Sequence, residues 1–271
     1  MIHELRPEEF EKVRLVFYSL DHHLTLNSII RNLTPARILV DDPVTPKMAF
    51  TWFKEKAWLA GDSCNEAFIN ELRSKLDETY YRLLKNHGAT GFRLHCGPPI
   101  RKMDIDVLFR DLTLKEWIRY YYDLDASQKT WNVNVPEGYE LHLVNEKLLS
   151  RTSLENLDDV IDEMQSERLS VTKFLSNSFG FVLMHGGKIV GWCMSEYNSD
   201  NRCELGLSTI EGYRRKGLAT LTAKATIGHA LALGINGIGW HCWAGNEASI
   251  ATAEKLGFSK RCEYKVYWIS L

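Results

Sequence analysis

The pattern of apolar and polar positions predicts most elements of this chain. In the first half, residues 7–20 form a charged amphipathic run. ARILVDD (36–42) reads as a strand, punctuated by Pro43 and Pro46. KMAFTWF and KAWLAGD read as a hairpin around Lys54-Glu55. Over residues 64–86, Phe68, Leu72, Leu76, Tyr80 and Leu83 recur at steps of three and four. That spacing predicts a helix of about six turns, closed by His87-Gly88. GFRLHC and MDIDVLF are strand-like, and the aromatic-rich LKEWIRYYYDLDA reads as a helix. The polar stretch 123–136, ending in Pro136, is taken as the join between two halves.

The second half has a clearer rhythm. GYELHLVN (138–145) alternates as a strand, and residues 155–176 read as helical. GFVLMHGGKIVGWCMSEYN is a hairpin, because Gly186-Gly187 supplies the two positive-φ positions of a tight turn. RCELGLSTI is the next strand. A helix over about 215–233 follows, with Leu218, Leu221, Ala225, Gly228 and Ala232 on one face and Gly234 at its end. GIGWHCW is a buried strand, NEASIATAEKLGF a helix capped by Asn246 and stopped by Gly257, and CEYKVYWI a last strand. The order is β, α, β, β, β, α, β, α, β.

Composition narrows the class. With 45% apolar and 25% charged residues over 271 positions, the chain is long enough for one large domain or two smaller ones. A net charge of −2 argues against bulk nucleic-acid binding. No apolar run approaches the roughly 20 residues of a membrane span. The charged N-terminus MIHELRPEEFEKVR lacks a signal-peptide core, so a cytoplasmic location is expected. Cys64, Cys96, Cys193, Cys203, Cys242 and Cys262 form no C-x-x-C pair and are expected as free thiols. His95-Cys96 and His241-Cys242 are strand neighbours that point to opposite faces, so no metal site is expected.

The sharpest chemical signal is YRRKGLAT, residues 213–220. It packs Arg214, Arg215 and Lys216 against Gly217 where a strand passes into a helix. A helix start offers amides without partners and partial positive charge, and glycine lets an anion approach the backbone. The turn is therefore a candidate phosphate site, with a solvated basic loop as the plain alternative. It is neither a Walker loop nor a dinucleotide fingerprint.

The turn also matches R-x-x-G-x-A, through Arg214, Gly217 and Ala219. With ELGLST before it, then GIGWHCW, Asn246 and a helix ending AEKLGF, residues 137–271 resemble the GCN5-related N-acetyltransferases, the GNAT superfamily. The first half is similar to the N-terminal part of a two-part subgroup that includes antibiotic self-resistance acetyltransferases. The resemblance implies an α/β chain. Residues 131–271 are expected as a GNAT catalytic domain with a mixed, mostly antiparallel sheet flanked by helices. Residues 1–130 are expected as a smaller α/β domain, a degenerate half of the same fold that shapes the acceptor pocket and binds no CoA of its own.

The resemblance further implies acetyl-CoA as co-substrate and no metal. The diphosphate is expected on the turn of Arg214, with the amides of Arg215, Lys216, Gly217, Leu218, Ala219 and Thr220. The pantetheine arm is expected along Leu207, Ser208 and Thr209. Asn246 is expected to contact the arm, cap its helix, or both. Two candidates stand for the base: Glu204, which shares a strand face with Gly206 and Ser208 and is alternatively a surface carboxylate, and His241, alternatively a core histidine. Gly206 is read as leaving room for substrate. The tyrosine that family members often carry as the acid is Ala253 here. Ser249 is the nearest hydroxyl, with first-turn helix chemistry as its alternative. Trp192, Trp240 and Trp243 are either core or an aromatic wall for the acceptor. The implied reaction is direct transfer of acetyl to the primary amine of a small molecule by a monomer or homodimer, with no nucleic-acid or membrane partner. The competing readings are a CoA-binding sensor or docking module without transfer, and an acyltransferase using a longer acyl group.

Overall fold

The computed structural model describes residues 1–62 and 65–271, so the expectation of a free thiol at Cys64 lies outside the described residues. The chain divides into two compact units, Met1–Arg119 with Glu263–Leu271, and Tyr120–Cys262.

In the first unit the amphipathic run winds as 3-10 turns, Pro7–Val13 and Tyr18–Leu20, that bury Phe10, Val13, Phe17 and Leu20. The regular elements are β1 (His3–Glu4), α1 (Leu24–Ile30), β2 (Arg37–Val40), β3 (Met48–Phe53) and β4 (Lys56–Gly61), then α2 (Glu66–Leu76), a π turn (Asp77–Tyr81), α3 (Arg82–Asn86), β5 (Gly91–Cys96) and α4 (Lys102–Leu108). β1 to β4 pair antiparallel in order, β5 joins β4 in parallel, and Val266–Ser270 closes on β5 antiparallel. Phe50, Leu59, Phe68, Leu72, Phe92 and Ile269 build the core between sheet and helices.

Two expectations are corrected here. MDIDVLF is helical, not a strand. Ile105, Leu108 and Phe109 recur at helical spacing and are buried, while Met103 and Val107 are exposed. Asp104 Oδ2 accepts from the amide of Arg101 at 2.9 Å, which starts α4. The long helix is also not uniform. Leu84 is buried and Leu83 is exposed, because the π turn shifts the phase of everything after Tyr81.

The second unit begins within β6 (Thr113–Asp125), so LKEWIRYYYDLDA is a strand rather than a helix. Tyr122, Leu124 and Ala126 recur at period two on the buried face, while Tyr121, also buried, points to the opposite face. Then come β7 (Tyr139–Leu143), α5 (Glu146–Leu149), α6 (Leu157–Glu167), α7 (Val171–Asn177), β8 (Gly180–His185), β9 (Lys188–Ser199), β10 (Arg202–Thr209), α8 (Leu218–Ala232), β11 (Gly237–Trp243), α9 (Glu247–Leu256) and β12 (Ser259–Ser270). The expected helix at 155–176 is two helices, the second capped by Ser170. The β8–β9 turn takes φ of 58° at Gly186 and 79° at Gly187. The sheet order of this unit is β6-β11-β10-β9-β8-β7, with the β10–β11 pair parallel and helices α8 and α6 contacting its strands.

Both units thus run an antiparallel meander into a helical crossover and a parallel strand. They differ where a ligand would bind. In the first unit, β4 and β5 stay paired to Leu59↔Cys96, and Asn65 Oδ1 caps α2 by accepting from Phe68 N at 3.1 Å. In the second unit both features change.

Candidate active site

α8 begins at Gly217, with φ 77° and ψ 4°. A glycine has no side chain to cap the helix, and the first ladder bond runs from Leu221 N to Gly217 O at 3.2 Å. The amides of Leu218, Ala219 and Thr220 precede that ladder and lie at its positive end. Arg215 is also left-handed, at φ 60°. The residue before it, Arg214, is extended, at φ −67° and ψ 162°. Arg214 turns back, and its Nε donates to Thr209 O at 3.0 Å, tying the turn to the end of β10. Lys216 Nζ lies 5.0 Å from the Tyr213 ring centroid. Positions 214–217 are all exposed.

The neighbouring strands separate at this end. β10 pairs with β9 as far as Thr209↔Gly191, whereas its pairing with β11 runs Arg202↔Gly237, Cys203↔Ile238, Glu204↔Gly239 and stops. Beyond that fork the edge of Leu207, Ser208 and Thr209 that faces β11 is open to an extended ligand. The Thr209 hydroxyl, near Gly191 of β9, is buried without a hydrogen-bond partner among the described residues.

At the fork the two candidate bases meet. Glu204 Oε1 lies 3.4 Å from His241 Nε2, with the side chains 10% and 9% exposed. The parallel register explains the contact, since His241 stands two residues past Gly239 on the same face. Gly239 permits it, because a Cβ there would press on Glu204 Cγ at 3.2 Å and Tyr121 Cε2 at 3.4 Å. Tyr121 covers the imidazole, ring centroids 4.8 Å apart. Burial pushes its phenol up to about 12, against Arg202 and with Glu204, so it is a neutral donor at pH 7. Tyr121 and Gly239 were missed in the sequence. Tyr121 lies in the segment misread as a helix, and Gly239 matters through a cross-strand partner.

The space at Gly206 is not empty. A Cβ there would collide with the Glu196 carboxylate and approach Glu163 Oε1 to 3.2 Å. Glu196 stands directly across from Glu204 in the β9–β10 register.

Asn246 Oδ1 accepts from Ser249 N at 3.1 Å, so its side chain caps α9. Ser249 Oγ accepts from Trp240 Nε1 at 3.0 Å. Trp240 and Ala253 are buried in one core cluster and Trp192 in another, while Trp243 is 37% exposed, so the three indoles do not form a common wall. Ser249→Ala is expected to lower the melting temperature, since an orphaned indole N–H costs about 1–3 kcal/mol. We expect kcat to stay within about tenfold, below the ~10²-fold of a lost general acid; a larger fall would put Ser249 in the proton path.

Among the described residues, no group of three or more His, Cys, Asp or Glu side chains is arranged to hold a metal ion. No helix among them is long and apolar enough to cross a membrane.

Comparison with known proteins gives the family. The GNAT acetyltransferase family matches residues 15–267. The chain is 27% identical over 274 residues to YdfB of Bacillus subtilis (strain 168), an uncharacterized N-acetyltransferase, covering 99% of this chain and 98% of that protein. Among solved structures, a GCN5-related N-acetyltransferase-like protein from Streptococcus suis 89/1591 aligns with a TM-score of 0.69 at 23% identity, over 96% of this chain and 98% of that one. A tandem GNAT protein from the clavulanic acid biosynthesis pathway aligns with a TM-score of 0.63 at 12% identity, over 100% and 98%. These structural likenesses agree with the fold described above, and the family match extends across both units. The chain belongs to the GNAT acetyltransferase family and is an acyltransferase.

Proposed function

We propose that the protein transfers acetyl from acetyl-CoA directly to the primary amine of a small molecule. The observation that carries this reading is the conjunction of the uncapped start of α8 with the β10–β11 fork and the Glu204–His241 pair. A diphosphate with a peptide-like arm fits the first two features: amides of residues 215–220 for the phosphates, and the open β10 edge for the arm. Arg214 holds the turn, and Arg215 and Lys216 add charge. When bound, acetyl-CoA supplies an activated thioester carbonyl.

The chain's own residues then have defined tasks. An amine attacks only as the free base, so a proton must leave it. Glu204 and His241, in contact and largely shielded from water, form a carboxylate–imidazole pair that holds that proton between them. A backbone N–H at or beside Thr209 polarises the carbonyl oxygen. Asn246 orders the start of α9 and stands as the candidate contact to the arm. The leaving thiolate departs unassisted or takes a proton from Ser249, as the Ser249→Ala experiment decides.

The first unit is not expected to hold a second CoA site. Its α2 start is already filled by Asn65 and its parallel strands do not separate. Calorimetric titration is therefore expected to give one CoA per chain, and two would refute this assignment. The function itself is tested by thiol release from acetyl-CoA across a panel of amines, aminoglycosides and polyamines. At least one amine should turn over. CoA binding without turnover of any amine would favour a non-catalytic module, and preference for longer acyl-CoA would change the donor.

A further inference from the structure

The first unit holds a second feature that acetyl transfer does not use. α2, the π turn and α3 form one continuous run, Glu66–Asn86. In an α-helix a step of four residues overshoots a full turn by about 40°, so side chains at that spacing drift around the axis. A π turn closes i→i+5 bonds, takes more residues per turn and reverses the drift; such turns are rare and concentrate at functional sites. Here it brings Asp77, Tyr81 and Lys85 along one wall of a groove of about 440 Å³. That volume lies in the range of small-molecule sites.

The lining is polar on the helix wall and apolar beneath. Leu108, Phe109 and Leu112 form the floor. Arg73, on the same wall, pairs with Asp111 and so contributes no net charge. Asp77, Tyr81 and Lys85 have no side-chain hydrogen bond or ion pair among the described residues. Tyr81 is 7% exposed and lines the groove, and its hydroxyl makes no hydrogen bond among the described residues, so it is a donor available to a ligand. Asp77 and Lys85 stand eight positions apart, a rise of about 12 Å. The lysine leans back toward the helix start, which shortens the gap between the two charges. That gap exceeds the spacing within an α-amino acid and suits an extended chain of two or three residues at about 3.5 Å each.

We propose that this groove binds a short zwitterionic peptide with apolar side chains. Its ammonium sits on Asp77, its carboxylate on Lys85, and a peptide carbonyl accepts from the Tyr81 hydroxyl. The apolar side chains lie on Leu112, the partly exposed residue of the floor. The site is separate from the CoA-binding elements and does not depend on their assignment.

The test is calorimetric titration of the full chain with L-leucyl-L-leucine, its N-acetyl form and its C-terminal amide. The free dipeptide is expected to bind saturably at one site with Kd below about 1 mM, and each blocked form at least tenfold more weakly. Asp77→Asn should erase the discrimination against the N-acetyl form, and Lys85→Met the discrimination against the amide. Both positions are exposed, and unchanged CoA binding in the variants confirms that they fold. No saturable binding up to about 10 mM, or equal binding of free and blocked forms, overturns the proposal.

Discussion

Replacing Gly217 with glutamate is expected to abolish CoA binding while leaving the chain folded. Two effects follow from one side chain. The backbone at 217 sits at φ 77°, which costs a non-glycine residue about 1–2 kcal/mol. Among the described residues, no atom beyond its chain neighbours and its own helix backbone lies within 4 Å of a Cβ there, so the strain is confined to the backbone. For a chain of this size it should lower the melting temperature by a few degrees, at about 2–4 °C per kcal/mol. The second effect is on the ligand. A carboxylate at the mouth of α8 occupies the field meant for phosphate and can cap the amides of Ala219 and Thr220 itself. Losing two charge-assisted hydrogen bonds, each worth about 1.5–3 kcal/mol, raises Kd by more than ~100-fold. Gly217→Ala separates the two: it carries the strain without the charge, and should keep most of the thermal shift that CoA gives the wild type. If Gly217→Glu still gains that shift in full, the diphosphate is bound elsewhere.

The second large effect is expected at the fork. Glu204→Gln should lower kcat by about 10²–10⁴-fold, the usual range for a lost general base, with little change in CoA affinity. His241→Asn should fall in the same range. Because the two side chains lie 3.4 Å apart and handle one proton, their losses should not add. The double variant is expected to be about as slow as the worse single variant. Additive losses in log kcat, or a wild-type rate in either single variant, would break the pair. The readout is steady-state kinetics with the best amine from the thiol-release panel, with CoA-induced melting shifts as the control for folding.

Much of this site could be read from local sequence, and the unread part has a common cause. The turn at 213–220 declares itself, because cations beside a glycine at a strand–helix junction are a local signal. The Gly186-Gly187 hairpin and the Asn246 and Gly257 helix ends are equally local. The fork is not. That β10 and β11 part after Glu204↔Gly239 depends on parallel register between residues 35 positions apart. Glu204 and His241 were separate candidates in sequence, and only that register brings them into contact. The same holds for Gly206, whose free space is taken by Glu196 from the adjacent strand. The misread segments fail for a different reason. MDIDVLF and LKEWIRYYYDLDA are short apolar runs in which periods 2 and 3.6 compete, and tertiary burial of Ile105 with Leu108, and of Tyr122 with Leu124, decides between them. The π turn was invisible because Phe68, Leu72, Leu76 and Tyr80 keep an unbroken rhythm up to the point where it acts.

The central claim is that backbone amides at the start of α8 hold the diphosphate of coenzyme A. A crystal structure of the CoA complex tests it most directly. The account predicts phosphate oxygens within hydrogen-bonding distance, about 2.7–3.2 Å, of the amides between Arg215 and Thr220, with the arm running along Leu207–Thr209. Coenzyme A bound with its diphosphate away from this turn, or a turn closed by the protein's own side chains, would contradict it.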